Sequence, residues 1–317
     1  IVFQLQDFSD NKIGDKVTLN IHSLVITTPP PTGGGSTVTP PATFDVQKAL
    51  EYLKSKQDAD GSFGGASMYT DWAGIALGAM NVTDGSKTSL LAYFNSHNTI
   101  SSLLTDNERH SVALLALGQN PYSFSGVNYI KAITDSFDGA QLGDIHLDND
   151  DIFGLIVLPK VGYTVNDEII SKTISFVLSA QASNGSWDGS VDMTAAAIQA
   201  LKPFDSVTGT TESISKATAY LVSKQNNDGG FGESVSSIYS TSWVMQAMSS
   251  LGLSFTSWKK EGGHTPMDYL ASQQVIEDSA VLPSSETPEN RIWATSYAIA
   301  GASGKPWSDI MQSVAKP

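Results

Sequence analysis

The stretch QDADGSFG at residues 57–64 recurs as QASNGSWD at 181–188 and as QNNDGGFG at 225–232. The shared pattern is a glutamine, three residues, a glycine, a serine or glycine, and an aromatic ring. Each copy follows one segment of apolar periodicity and precedes another. Such internal repetition predicts an array of equivalent structural units. Within each unit the glycine would permit a tight turn, and the ring would fill the space beside it.

Two kinds of apolar segment alternate around these loops. The first kind is amphipathic, since Val46, Ala49, Leu50 and Leu53 fall at i, i+3, i+4 and i+7 and form one stripe of a helix. The second kind is apolar nearly all round, which suits a helix that is buried on every side. Segments of the first kind lie at 46–57, 88–97, 126–136, 167–181, 213–225 and 266–274. Segments of the second kind begin near Asp71, Ser111, Asp151, Asp192, Tyr239 and Trp293.

The alternation of six amphipathic and six fully apolar helices favours a closed ring over an open solenoid. In an open array the apolar helices would expose one wall to water, whereas in a double ring they contact one another. We therefore expect an all-α fold, a closed (α/α)6 toroid of six inner and six outer helices at residues 44–317, preceded by a short β segment. Each glycine-aromatic loop would then join an outer helix to the next inner helix.

The first 43 residues differ from the rest of the chain. Residues 1–27 alternate apolar and polar side chains on both sides of a turn-rich segment, which predicts a β hairpin or two adjacent strands. Because an isolated hairpin is marginally stable, these strands would belong to an upstream β domain or pair with a neighbouring subunit. Residues 28–43 are rich in Pro, Gly and Thr and predict a linker. The chain begins with Ile1, so we interpret it as a mature or truncated segment of a longer protein.

The composition excludes several kinds of partner and site. Acidic residues outnumber basic ones by 32 to 18, and the formal charge of −14 disfavours nucleic acid and anionic lipid. The absence of cysteine excludes disulfides, a Cys nucleophile and thiolate metal sites, and the five histidines show no ligand spacing. We therefore expect no bound metal of structural kind. No apolar run approaches the roughly 20 residues of a transmembrane helix.

The repeats resemble the prenyltransferase and squalene-cyclase repeat superfamily of α/α toroids. The chain is most similar to bacterial surface proteins with one toroid, itself similar to the α domain of the vitamin B12 carriers. The segments that carry this resemblance are residues 191–201, 240–247, 257–258, 265–270 and 293–298. The resemblance implies the toroid fold. It leaves the function open, because this fold serves enzymes, carriers and adhesive modules alike.

One acidic motif carries a chemical hypothesis. The stretch Asp148-Asn149-Asp150-Asp151 resembles the Asp-x-Asp-Asp motif of class II terpene cyclases, in which the middle carboxyl, here Asp150, protonates an alkene or epoxide. Clustered carboxyls suit this role because neighbouring negative charge raises a pKa. Against the hypothesis, the motif lacks the Thr-Ala that usually follows it, and cyclases of this class place their site between two toroids. The alternative is an acidic first turn that stabilises the helix dipole.

A second hypothesis concerns a ligand at one mouth of the toroid. Asp71, Asp151 and Asp192 stand near the starts of inner helices, so they would surround the same mouth as an acidic rim. Such a rim could bind a polar ligand or Ca²⁺, although N-capping of each helix explains the same positions. Resemblance to the B12 carriers implies a corrinoid such as cobalamin at this mouth, where Tyr239 and Gln246 would join Asp192.

From these features we expect a non-enzymatic bacterial module, extracellular or at the cell surface. It would bind a ligand or a protein partner through one mouth of the toroid, without a resident cofactor. Two alternatives remain open: a class II terpene-cyclase-like enzyme with Asp150 as general acid, and a structural subunit of a surface assembly that uses the N-terminal strands. The glycine-aromatic pattern is not recognisable at residues 275–291, which we therefore interpret as the loop most specific to this protein.

Overall fold

The chain divides into two compact units, Ile1–Thr39 and Pro40–Pro317. The computed structural model describes residues 2–3, 17–18, 43–260 and 262–317. In the first unit, β1 (Val2–Phe3) pairs antiparallel with β2 (Val17–Thr18). The rest of the predicted β segment, and the predicted linker up to residue 42, lie outside the described residues.

The second unit is helical throughout its described residues, apart from loops. The inner helices are α2 (Ser67–Ala79), α4 (Leu104–Ala116), α6 (Asp148–Val157), α8 (Val191–Leu201), α10 (Ile238–Ser250) and α12 (Pro288–Ala302). The outer helices are α1 (Val46–Ser55), α3 (Gly85–Ser96), α5 (Tyr129–Asp135), α7 (Glu168–Ala180), α9 (Thr210–Ser223) and α11 (Pro266–Gln273). The 3-10 segments Leu158–Val161 and Lys202–Phe204 extend α6 and α8, and α13 (Trp307–Ile310) comes last.

The inner helices form a closed ring, because each contacts the next and α12 contacts α2. Each outer helix from α3 onward packs against the inner helix that precedes it in the chain, and α1 packs against α12. Small residues allow this close approach: a Cβ on Gly78 would lie 2.6 Å from the Cβ of Ala116. The predicted all-α (α/α)6 toroid is therefore confirmed. Its inner helices begin earlier than the apolar pattern indicates, as α4 begins at Leu104 and not near Ser111.

The glutamine of the repeated loop ties three elements together. Gln57 Nε2 donates to the carbonyl of Gly61 within its own loop and to the carbonyl of Ser86 at the start of α3, both at 2.9 Å. Gln181 and Gln225 make the same pair of bonds in their repeats. The side chain therefore fixes each loop to the start of the next outer helix or, for Gln225, to the loop that precedes it.

The glycine of the loop meets two separate requirements. Gly61 has a φ of +93°, which L side chains rarely adopt. A Cβ there would also lie 2.2 Å from the carbonyl oxygen of Ser89 on α3. Gly185 and Gly229 share both features, with φ near +90° and a neighbouring carbonyl oxygen at 2.4 and 2.3 Å. The repeated glycine is therefore fixed by backbone conformation and by space.

A side-chain oxygen on each of five inner helices anchors the residue that plugs the loop. Thr70 Oγ1 accepts a hydrogen bond from the backbone N–H of Phe63 at 3.0 Å. The same bond joins Thr194 to Trp187, Thr241 to Phe231 and Thr295 to Val281. In the third repeat Asp151 takes this position, and its Oδ1 accepts from the backbone N–H of Leu142 at 2.8 Å. These five anchors define equivalent positions around the ring.

The loop before α12 has the same hydrogen bonds and buried plug as the other loops, although its sequence lacks the glycine-aromatic pattern. Gln274 Nε2 donates to the carbonyls of Ser279 and Asp45, and Gln274 Oε1 accepts from the N–H of Asp45 at 2.8 Å. Ser279 adopts a φ of +64° where the other loops have glycine, and the fully buried Val281 replaces the aromatic ring. Residues 275–291 therefore lack the glycine-aromatic sequence pattern but keep its hydrogen bonds and its buried plug. The geometry needs an amide, a positive φ and an apolar plug, which other residue types can supply.

In the described part of the chain, no helix combines the length and the hydropathy that crossing a lipid bilayer requires.

Candidate functional site

The anchors identify which side chains point to the axis of the toroid. Residues two before and two after an anchor are four apart, so they share one face of the helix. The residues two after the anchors are Trp72, Phe153, Ala196, Trp243 and Tyr297. The four rings among them meet on the axis, with centroids 4.3 Å apart for Trp72 and Tyr297 and 5.9 Å apart for Phe153 and Trp243. We call these five residues the aromatic level.

The C-terminal segment closes the axis on one side of the aromatic level. Trp307 packs against Trp243 with ring centroids 4.4 Å apart, and its backbone N–H donates to Gln199 Oε1 at 3.0 Å. Gln312 N–H donates to the carbonyl of Leu115 at the end of α4. Gln246, predicted at the ligand mouth, lies one helical turn below Trp243 and is buried. The open mouth is therefore at the N-terminal ends of the inner helices.

The mouth itself is formed by the residues two before the anchors: Met68, Asn149, Asp192, Tyr239 and Trp293. All of these except Asn149 are partly exposed, whereas the aromatic level below them is buried. Tyr239 and Trp293 stack with centroids 4.7 Å apart, so one side of the mouth is aromatic. Asp192 and Asn149 give the other side shorter, polar side chains.

Asp192 is the carboxyl among the five residues that form the mouth. Loss of solvent raises the pKa of Asp192 to about 6, a hydrogen bond from Ser240 opposes that shift, and the charge of Glu233 adds to it. The Asp192 charge in turn raises the pKa of Tyr297, whose ring lies in the aromatic level. A carboxyl that holds its proton up to about pH 6 therefore stands beside a wall of aromatic rings.

In the acidic motif 148–151, the carboxyls of Asp150 and Asp151 are directed into the preceding loop and away from the axis. Asp150 Oδ2 accepts from the backbone N–H of Asp144 at 3.0 Å, and a Cβ on Gly143 would lie 2.0 Å from that oxygen. Burial raises the pKa of Asp150 to about 6 and that of Asp148 to about 6, with the Asp188 charge adding to the shift at Asp148. Asp151 has no exposed surface, and burial raises its pKa to about 8.

Sequence reasoning missed Glu108, a fully buried residue of α4 near this motif. Neither carboxyl oxygen has a hydrogen-bond partner among the described residues. Burial raises the pKa of Glu108 well above its usual value, and the charges of Asp150 and Asp151 raise it further. The sequence analysis begins this inner helix near Ser111, which leaves Glu108 outside it, whereas α4 begins at Leu104. An earlier helix start would have put Glu108 inside the ring.

Asp71, Asp151 and Asp192 do not occupy equivalent positions, contrary to the sequence interpretation. Asp151 is an anchor, Asp71 follows its anchor Thr70 by one residue, and Asp192 precedes Thr194 by two. Asp71 is buried in an ion pair between α2 and α4, with Oδ2 accepting from Arg109 Nε at 3.2 Å. The three carboxyls therefore point in three directions and form no common rim.

No group of three or more His, Cys, Asp or Glu residues in the described ranges has the arrangement of a metal site.

Comparison with known proteins gives this geometry a context. Residues 144–275, which include the acidic motif and Asp192, match the family described as the squalene-hopene cyclase C-terminal domain. No curated protein matches the chain.

A variant of the type II terpene cyclase MstE from Scytonema, in complex with geranylgeranyl dihydroxybenzoate (substrate), has a TM-score of 0.60 and 11% identity over 84% of this chain and 97% of that chain. Another MstE variant, with merosterolic acid A (product), has a TM-score of 0.59 and 11% identity over 81% and 94%. Haptocorrin in complex with Cbi has a TM-score of 0.53 and 14% identity over 84% and 68%. The chain therefore resembles the squalene-cyclase and prenyltransferase superfamily of α/α toroids, as its sequence predicts.

These matches correct the expectation of a non-enzymatic binding module. The matched family is a cyclase domain, and the cyclase structures hold a substrate and a product. They also remove one objection to the cyclase alternative. At least 94% of each of these MstE chains is matched by this chain, which contains one toroid, so a cyclase of this class does not need two.

Proposed function

We propose that this chain is an enzyme of the terpene-cyclase type, which starts the cyclisation of an isoprenoid chain by protonating it at the mouth of the toroid. The observation that carries the proposal is a protonatable carboxyl, Asp192, at the head of the aromatic level. Burial raises its pKa to about 6, so it can hold and deliver a proton under mildly acidic conditions. The match of residues 144–275 to a cyclase family supports the same activity.

Asp192 suits the role of acid better than Asp150, which the motif suggests. The Asp150 carboxyl is held by the N–H of Asp144 and pressed against Gly143 in the preceding loop. Asp192 instead shares a helix face with Ala196, so its carboxyl lies on the side of α8 that faces the aromatic level. Partial exposure at the mouth would also let Asp192 regain a proton from water after each turnover.

The aromatic level supplies what a carbocation needs. Proton transfer from Asp192 to a terminal alkene would leave a tertiary cation, which successive double bonds attack as rings close. The π faces of Trp72, Trp243 and Tyr297 would stabilise the positive charge without offering a nucleophile. Loss of a proton from the last cation would end the sequence. The net reaction is an isomerisation, so the product has the mass of the substrate.

The experiment is an assay of the whole chain with squalene and with geranylgeranyl dihydroxybenzoate, followed by chromatography and mass spectrometry. We expect a product of unchanged mass and altered retention time from one of them. Asp192→Asn should lower the rate by about 100-fold or more, the usual contribution of a general acid. Asp150→Asn, which keeps the acceptor for Asp144, should leave the rate within a few-fold. Failure of both substrates, or full activity of Asp192→Asn, would contradict the proposal.

A further inference from the structure

A separate cavity of about 230 Å³ lies beside the mouth, between the starts of α2 and α4 and the outer helices α3 and α5. Its walls include Asp71 from α2, Tyr93 and Phe94 from α3, His110 from α4 and Tyr129 from α5. None of these residues belongs to the aromatic level or to the ring of residues at the mouth. The cavity is therefore distinct from the site assigned to cyclisation.

Two polar atoms in the cavity wall have no hydrogen-bond partner among the described residues. Tyr129 is 1% exposed, and its hydroxyl is unbonded. His110 Nδ1 lies 2.7 Å from Asp71 Oδ1, and its Nε2 is unbonded. The two rings lie 4.7 Å apart, so the two unsatisfied atoms belong to neighbouring side chains. Buried polar atoms are normally paired, which points to a ligand that completes them.

The charged groups of the wall are already bonded to one another or to neighbouring polar groups. Arg109 bonds to Asp71 Oδ2 at 3.2 Å and to Asp106 Oδ1 at 2.8 Å. Asp106 Oδ2 accepts from the hydroxyl of Ser101. A cation would find no free carboxylate here, and an anion would meet two carboxylates. The atoms of the wall that lack partners are His110 Nε2 and the Tyr129 hydroxyl, which suit hydrogen bonds to a neutral ligand beside the aromatic rings of Tyr93 and Phe94.

We propose that this cavity binds a neutral polyhydroxylated ring, the size of one monosaccharide unit. Ring hydroxyls both donate and accept, so one can donate to His110 Nε2 while its neighbour bonds to the Tyr129 hydroxyl. The C–H face of such a ring is apolar and packs on an aromatic side chain such as Phe94. The volume of about 230 Å³ is below the roughly 300 Å³ at which drug-sized pockets begin, which fits a ligand of about a dozen heavy atoms.

Titration of the whole chain with the methyl glycosides of glucose, galactose and mannose and with N-acetylglucosamine tests the proposal. Ligand-observed NMR and calorimetry should detect saturable binding of at least one probe, with a Kd on the order of millimolar for a ligand of this size. Tyr129→Phe should weaken that binding by about 5-fold or more through loss of one hydrogen bond. Its melting temperature should not fall, because the hydroxyl has no partner in the fold.

Tyr122→Phe is the matched control, since its hydroxyl donates to the carbonyl of Val161 at 2.8 Å, outside the cavity. It should lower the melting temperature and leave probe binding unchanged. The proposal is overturned if none of the four probes binds up to roughly 50 mM, well above the millimolar scale expected. Equal binding by Tyr129→Phe and the wild type would overturn it too, as would binding of a simple ammonium ion in place of the sugars.

Discussion

Replacement of Asp151 by asparagine tests how buried carboxyls limit the stability of the ring. Asp151 is fully buried, its Oδ1 accepts from the N–H of Leu142 at 2.8 Å, and its Oδ2 has no partner among the described residues. Glu108 and Asp150 are its acidic neighbours. The charges that act on the pKa values of Asp151 and Glu108 are those of other carboxylates, and all of them raise these pKa values. Asparagine keeps the acceptor for Leu142 and removes the ionisable group.

The magnitude follows from the pKa of Asp151, which burial raises to about 8, against about 3.9 in an unfolded chain. Between these values the folded protein holds one more proton than the unfolded chain. The free energy of unfolding therefore falls by about 1.4 kcal/mol per pH unit as pH rises. At pH 7 the loss reaches about 4 kcal/mol relative to pH 4. The raised pKa of Glu108 acts in the same direction.

We therefore expect Asp151→Asn to gain about 2–4 kcal/mol at pH 7 but only about 0.5 kcal/mol at pH 4, where Asp151 is protonated in the folded state and about half ionised in the unfolded chain. For a domain of this size the gain corresponds to roughly 5–15 °C in melting temperature. Thermal denaturation between pH 4 and pH 8.5 measures it. Asp138→Asn is the control, because Asp138 is exposed and backbone hydrogen bonds lower its pKa. Equal melting temperatures of Asp151→Asn and the wild type at pH 7 would refute the reasoning.

Three further predictions concern the loop glycine, the C-terminal residue Trp307 and the acid Asp192. Gly185→Ala should destabilise by about 3 kcal/mol or more in thermal melts, because φ is +91° and the Cβ would meet the Lys216 carbonyl at 2.4 Å. Gly189→Ala, with φ +64° but open space, should cost only about 1 kcal/mol. Trp307→Ala should cost about 3–5 kcal/mol in chemical denaturation and open the axis from below. Cyclase activity should be full below the pKa of Asp192, about 6, and fall above it as the acid loses its proton; a rate that rises from pH 5 to pH 8 would exclude this acid.

The ring could be predicted from sequence because its determinants are local. The glycine of the loop is fixed by a positive φ and the plug by its own burial, and both leave a residue-type signature in every clear copy. The sixth loop escaped recognition because Ser279 and Val281 meet the same two requirements without glycine or an aromatic ring. The loop requires a positive φ and a buried apolar side chain. Glycine and an aromatic residue recur only where no other residue type meets these two requirements.

The mouth could not be predicted in the same way, because it depends on helix register. One residue along an α-helix turns a side chain by about 100°, so Asp71, Asp151 and Asp192 face different neighbours although all stand near helix starts. The hydroxyl anchor that sets the register was present in the sequence: Thr70 follows Phe63 by the same seven residues that separate Thr194 from Trp187. Counting from that anchor would have directed Asp192 to the axis.

The same register gives the acidic residues of this chain two different roles, that of a loop anchor and that of an acid at the mouth. An anchor needs only an oxygen that accepts one backbone N–H, which threonine supplies without charge and Asp151 supplies with a buried carboxyl. An acid at the mouth needs a proton, partial burial and contact with the place where charge develops. The raised pKa of Asp192 lets it hold a proton, and its position at the mouth leaves it partly buried. A dense acidic motif is therefore a weaker guide to chemistry in this fold than one carboxyl two residues before an anchor, since only the latter faces the axis.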